Sequence, residues 1–385
     1  MSTVEKPRQR PDRPNFSSGP CAKRPGWMPD VLATALVGRS HRSPAGKKRL
    51  KAAIDETHAL LELPSDYRVA LVPGSDTGAF EMALWSMLGA RGVDVLAWED
   101  FGKRWVCDIV GELKLPDTRV LEADYGHLPD LATVDFDRDV IFPWNGTASG
   151  VRVPNADWIA ADRRGLTFVD GTSALLAQAI DWSKVDVATF SWQKVLGSEA
   201  AHGMLIVSPR ALQRLAEHRP GWPVPKLFRL ASEGRIDEGI FAGVTINTPS
   251  MLCVEDYLDA LRWARGIGGL KALQQRADEN AATVFAWIER TTWIANLAVD
   301  STTRSNTSVC LRFTKISGGP EAERRVADQM VKLLEDEGVA LDIGAYRTAP
   351  PGLRIWTGAT VERRDLEALM PWLEWAYATV LADRV

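Results

Sequence analysis

Lys194 directly follows an apolar stretch, Ala188-Thr-Phe-Ser-Trp-Gln193-Lys194, and an amine so placed has two uses. Its stem can snorkel the charge to water, or its surroundings can lower its pKa until it forms a Schiff base with an aldehyde. Asp170 closes a second apolar stretch 24 residues earlier, in Phe168-Val-Asp-Gly-Thr-Ser-Ala. A carboxylate there can cap a helix, hold a metal or pair with a buried cation, and Thr172 or Ser173 can cap the next helix equally well. A third segment, Val72-Pro-Gly-Ser-Asp-Thr-Gly-Ala-Phe, sets Gly74 to Gly78 between an apolar run and a helical pattern. Such a turn offers backbone N–H groups and a helix N-terminus to a phosphate. It has neither the lysine of a nucleotide P-loop nor G-x-G-x-x-G spacing, and many strand-to-helix turns carry Gly and Ser for capping alone. Taken singly, each segment has an ordinary structural reading.

The elements that must position these residues lie in 66–210, where short apolar runs alternate with helical patterns. The runs are Tyr67–Val72, Val93–Trp98, Val140–Pro143, Leu166–Asp170, Val185–Phe190 and Met204–Val207, with helical patterns at Gly78–Gly89 and Lys103–Leu113. This alternation predicts an α/β fold whose sheet is mostly parallel and covered by helices on both faces. Ligands of such sheets bind at the carboxyl ends of the strands, where Asp170 and Lys194 fall. A Pro- and Gly-rich segment over 220–249 breaks the alternation, and helical patterns follow at Met251–Arg265 and Leu270–Thr291. From about 292 the order is strand, strand, helix (Pro320–Glu337), strand (Leu353–Trp356) and helix (Val361–Ala382), a smaller α+β unit.

At 385 residues the chain is long enough for two or three domains, and its 45% apolar and 25% charged residues are ordinary for a globular protein. A net charge of −4 argues against a dedicated nucleic-acid binder, so anion recognition must come from a few placed arginines. Cys21, Cys107, Cys253 and Cys310 form no C-x-x-C pair, which suggests neither a disulfide framework nor a metal site. The Pro- and Arg-rich start has no apolar h-region and reads as a frayed N-terminus, and no apolar run is long enough to span a membrane. A cytoplasmic protein is the expectation.

Together the three segments are the parts that pyridoxal 5′-phosphate (PLP) requires. The lysine takes the aldehyde, the acid keeps the pyridine nitrogen protonated, and the helix N-terminus holds the phosphate. Each pKa unit by which the acid raises the ring nitrogen is worth about 1.36 kcal/mol. Further short segments fall in the order of a known family. They are Asn15-Phe-Ser-Ser-Gly-Pro, Ser40-His41-Arg42-Ser43, Asn247-Thr248-Pro249, Tyr346-Arg347 and Leu353-Arg354. Over about residues 15–380 the chain resembles class V of the fold-type I PLP enzymes, and within it the phosphoserine aminotransferase family.

The resemblance implies a flexible arm over 1–15, a large PLP-binding domain over 16–265 with a mostly parallel seven-stranded sheet, and a small α+β domain over 266–385. It implies that Lys194 is the Schiff-base lysine and Asp170 the partner of the ring nitrogen. Asp76 and Thr77, through backbone N–H groups, and Gln193 would line the phosphate, and Thr147 would stand near the phenolic oxygen. Phe101 aligns with the aromatic that stacks on the ring, with Trp98 and Trp105 as rivals. Asn247 and Thr248 would reach a phosphate across a homodimer interface. Arg354 would hold the substrate α-carboxylate, while His41, Arg42 and Arg347 would take the distal anion. Two departures stand out: Tyr346 occupies the family's histidine position, and the stretch from Arg347 to Arg354 is one residue longer.

The implied reaction is reversible transamination between L-glutamate and 3-phosphonooxypyruvate, which gives 2-oxoglutarate and O-phospho-L-serine in serine biosynthesis. An alanine- or serine-glyoxylate aminotransferase is the nearest alternative, but its small substrates need no second anion pocket. A cysteine desulfurase needs a mobile, exposed cysteine, whereas Cys310 lies in a stretch that alternates like a buried strand. A non-catalytic PLP-binding regulator would usually carry a DNA-reading helix-turn-helix, for which residues 1–15 are too few.

Overall fold

The computed structural model describes residues 4–382. Each of the six apolar runs is a strand of one seven-stranded sheet. The strands are β1 (Arg68–Pro73), β2 (Val93–Ala97), β3 (Thr118–Glu122), β4 (Asp139–Pro143), β5 (Thr167–Asp170), β6 (Val187–Ser191) and β7 (His202–Val207). Their spatial order is β1-β7-β6-β5-β4-β2-β3, and only β7 runs antiparallel to its neighbours. The strand that no apolar run announces is β3, Thr-Arg-Val-Leu-Glu. It lies at the sheet edge with much of its side-chain surface in water, so nothing forces it to be apolar.

The other strands are buried on both faces. Val72, Val95, Ile141, Phe168, Val187 and Leu205 pack beneath α2 (Ser75–Met87), α3 (Asp100–Val106) and α4 (Pro209–Glu217). Leu71, Leu96, Phe142, Val169, Phe190 and Met204 point the other way, toward α1 (Pro44–Leu60) and α5 (Met251–Gly266). That second core continues into the smaller unit, where β8 (Ile294–Asn296), β9 (Ser308–Phe313) and β10 (Gly352–Trp356) form an antiparallel sheet. Helices α6 (Gly269–Arg290), α7 (Gly319–Asp336) and α8 (Arg363–Ala382) accompany it. The helix expected over Lys103–Leu113 instead starts at Asp100 and passes into a π-helical turn at Cys107–Glu112, a widening often found beside functional sites.

The N-terminal residues correct an expectation. Instead of fraying, residues 4–15 lie along the smaller unit. Lys6 pairs with Glu337, Trp372 Nε1 donates to the Gln9 carbonyl at 2.8 Å, and Leu341 N donates to the Pro14 carbonyl at 2.8 Å. The cations of Lys6 and Arg10 also face the Trp372 ring, so polar residues with aromatic partners dock where composition alone suggests a loose end. Residues 1–3 lie outside the described residues.

Candidate active site

The carboxyl ends of β1, β4, β5 and β6 open into a cavity of about 530 Å³. Gly74 makes the turn from β1 into α2 with φ +85°, a left-handed conformation that a side chain disfavours. The turn presents Ser75, Asp76 and Thr77 to the cavity, at the helix end whose N–H groups have no intrahelical acceptor. Asp170, the last residue of β5, accepts from Thr172 N and from the Trp105 indole N–H, each at 3.1 Å. Lys194 lies beyond β6, the next strand in the sheet, and is buried with its Nζ donating to the Ser18 carbonyl. Gly19 packs against that amine, and a Cβ there would occupy the space of Nζ. Burial pushes the Lys194 pKa down, the thiol of Cys21 opposes this, and the Arg354 cation lowers it further.

The remaining walls come from α3 and from the segment after β4. Phe101 and Trp105, four residues apart on α3, both line the cavity. Trp98 is not part of the wall and donates its indole N–H to the Val151 carbonyl at 3.0 Å. Thr147 donates to Ser173 Oγ at 2.8 Å, and Asn145 Nδ2 reaches the same oxygen at 2.9 Å. Gln193 also lines the cavity, and its Oε1 is buried without a hydrogen-bond partner. Glu99 connects the two walls from behind. Its Oε1 accepts from Phe101 N and Gly102 N, and its Oε2 accepts from Ala148 N at 3.1 Å. Burial raises its pKa to about 7 even though these backbone donors oppose the shift.

Seven of the residues expected at the site therefore share one cavity: Asp76, Thr77, Phe101, Thr147, Asp170, Gln193 and Lys194. Arg354, half-buried on β10, lies beside it, with its guanidinium 5.6 Å from the Tyr346 ring and its Nε unpartnered. The other five do not join this chain's cavity. Arg42, Asn247, Thr248 and Arg347 are exposed and His41 is half-buried, all outside its walls. Tyr346 touches two of the lining residues: its ring meets Phe101 at 5.4 Å, and Arg104 donates to its hydroxyl at 2.9 Å.

Sequence reasoning missed Glu99, Arg104, Asn145 and the indole bond of Trp105. The spacing of Trp105 from Phe101 put both on one helix face and could have shown that the two share a wall rather than compete for it. Cys310 is buried on β9, and burial pushes its thiol up to about 12, far from a reactive thiolate. Among the described residues no cluster suited to a metal ion occurs, and no helix is long and apolar enough to cross a membrane.

Structural likeness fixes the architecture without choosing a substrate. A phosphoserine aminotransferase from Cytophaga hutchinsonii superposes with a TM-score of 0.78 at 23% identity, covering 93% of this chain and 97% of that one. An alanine–glyoxylate aminotransferase from Nostoc reaches 0.75 at 20% identity, covering 97% of each chain. No family model matches the sequence. Sequence likeness is more discriminating. The phosphoserine aminotransferase of Methanosarcina mazei is 57% identical over 375 residues, which is 97% of this chain and all of that protein. The Methanosarcina barkeri enzyme is 56% identical over the same length. Identity of this degree from end to end places the chain in the phosphoserine aminotransferase family of PLP-dependent enzymes.

Proposed function

We propose that the chain interconverts L-glutamate and 3-phosphonooxypyruvate with 2-oxoglutarate and O-phospho-L-serine, using PLP. The observation that carries this reading is the juxtaposition of a buried, pKa-lowered Lys194 and Asp170 at adjacent strand ends beside the α2 N-terminus. The cavity suits a phosphorylated pyridine. It offers backbone donors at one end, a carboxylate in its wall, an aromatic face, and the Gln193 side-chain amide, whose Nε2 is the group able to donate to a phosphate. When bound there, PLP supplies an aldehyde for the substrate amine and a ring that withdraws electrons from the α-carbon.

The protein's residues do the rest. Ser75, Asp76 and Thr77 would bind the phosphate through the helix terminus, joined by Gln193, and Phe101 would offer an aromatic face to the ring. Asp170 would hold a proton on the ring nitrogen, and Thr147 would serve the phenolic oxygen. Lys194, whose charge burial disfavours, would take the proton from the substrate α-carbon and later return it. Arg354 binds the α-carboxylate. His41, Arg42 and Arg347 bind either a γ-carboxylate or a phosphate, a dual task that the planar guanidinium fork suits. Their exposure supports a homodimer in which these residues, with Asn247 and Thr248, complete a neighbour's site. The division near residue 266 into a cofactor-holding domain and a smaller domain, and a cytoplasmic location, belong to the same reading.

A coupled assay comparing O-phospho-L-serine, L-serine and L-alanine as amino donors to 2-oxoglutarate tests it. Turnover should favour the phosphorylated donor strongly. Equal or better use of alanine with glyoxylate as acceptor would reassign the protein to the glyoxylate enzymes.

A further inference from the structure

Glu99 caps the N-terminus of α3, a task for which the shorter Asp, Asn, Ser and Thr are preferred. Its side chain is fully buried and, among the described residues, makes no ion pair. The longer stem lets one carboxylate serve two segments. Oε1 accepts from Phe101 N at 2.8 Å and Gly102 N at 3.0 Å, while Oε2 accepts from Ala148 N at 3.1 Å. Ala148 is itself buried, and it follows Thr147 in the turn that joins Asn145–Gly146 to its pairing partner Val151–Arg152. That turn presses on the Glu99 stem: a Cβ on Gly146 would stand 2.8 Å from Glu99 Cγ. Trp98, the preceding residue, donates its indole N–H to the Val151 carbonyl and holds the turn's other side.

We propose that Glu99 is a positioning residue for the transamination, its two oxygens setting the separation between Phe101 on α3 and Thr147 on the opposite wall. Both residues line the cavity that contains Lys194 and Asp170. A helix that needed only a cap would be served by aspartate, which is one methylene shorter and would leave Ala148 N without this acceptor. An N–H left buried and unpaired is costly, and the turn would escape that cost by moving away from α3. The inference rests on the PLP reading for its purpose, whereas the link between the two walls is a property of the protein alone.

Glu99→Asp separates the cap from the link, because it keeps a carboxylate at the cap and withdraws the reach to Ala148. Amide hydrogen exchange of the cofactor-free protein is read in peptides spanning 97–106 and 143–152. Exchange should rise by roughly tenfold in the second peptide and little in the first. Pyridoxine 5′-phosphate, which has no aldehyde for Lys194, should bind the variant several-fold more weakly. In the loaded enzyme kcat should fall by roughly tenfold or more while KM for O-phospho-L-serine moves little, since the loss is of placement and not of anion contacts. Parental exchange over 143–152 overturns the proposal, and so does raised exchange with parental binding and kcat. If the parent binds neither pyridoxine 5′-phosphate nor PLP but the exchange pattern is found, the walls are linked and the PLP reading is what fails. Should the aspartate variant lose protection in both peptides, Glu99→Gln decides. Its one carbonyl oxygen can serve Phe101 and Gly102 or Ala148, so exchange should rise in one peptide alone, and parental protection of both overturns the link.

Discussion

Lys194 and Asp170 are held at the ends of adjacent strands and by buried hydrogen bonds, with the α2 N-terminus on the same cavity wall, whereas Arg42, Asn247, Thr248 and Arg347 stand on exposed segments of the same chain. The residues of the first region share one cavity within a single copy. The second has the residue types for anion binding but no cavity of its own. The difference reflects what each must do. Holding a cofactor requires a lysine whose charge burial disfavours beside a buried aspartate, and a packed sheet edge supplies both. Accepting a carboxylate and a phosphate in turn requires cations that reach an anion from outside, and a second copy can bring them.

The most severe way to break the first region is Lys194→Ala. Removing the proton-moving amine should lower single-turnover transamination by roughly 10⁴-fold, while circular dichroism and the melting temperature stay close to those of the parent. A variant that retains full turnover would remove Lys194 from the chemistry. The two regions can then be set against each other by subunit complementation. Lys194→Ala mixed with an Arg42→Ala/Arg347→Ala double variant and reassembled should regain about a quarter of parental activity. Half the dimers are then mixed, and each of these carries one intact site. Lys194→Ala mixed with Asp170→Ala should regain none, since both residues belong to the same copy's cavity. Recovery in the second mixture but not the first would invert the comparison.

The sequence made the cofactor region legible because each part closes or follows an apolar run: Asp170 at the end of β5, Lys194 beyond β6, the Gly74 turn after β1. Period and burial are what patterning encodes. Glu99 was illegible because its role depends on two backbone segments that meet only in space, at Phe101–Gly102 and Ala148. The edge strand β3 escaped because its polarity is that of a loop. The N-terminal arm misled for the opposite reason: its residues find partners just past the end of α7 and on α8, contacts between residues more than three hundred positions apart. The distal anion residues were legible only by resemblance, since an exposed Arg42 with Lys47, Lys48 and Arg49 close behind reads as a solvated surface.

Arg42→Ala is a smaller perturbation confined to the second region. A charge-assisted bond to an anion contributes about 1.5–3 kcal/mol, so KM for O-phospho-L-serine should rise by tens-fold. PLP affinity, measured by cofactor titration, should be unchanged, because no cofactor-holding residue is touched. An unchanged KM would leave Arg42 as surface. A loss of PLP instead would mean that Arg42 itself helps to hold the cofactor, and the separation of the two regions would be weaker than the cavity suggests.

The finest test stays inside the first region. Trp105 packs on Phe80 with ring centroids 4.6 Å apart and gives its only N–H donor to Asp170 Oδ2. Trp105→Phe keeps an aromatic in the wall and deletes that donor, leaving Asp170 with the Thr172 N–H alone. One hydrogen bond to a carboxylate is worth about 1.5 kcal/mol at the low end, so kcat should fall by roughly tenfold, with KM for either substrate little moved. Trp105→His, which can restore an N–H donor, should recover part of the loss. A purely structural role predicts a lower melting temperature with no rescue by histidine. A rise in KM for the phosphorylated substrate without a change in kcat would assign Trp105 to anion recognition, and the cavity would then serve both tasks that the exposed arginines are expected to divide with it.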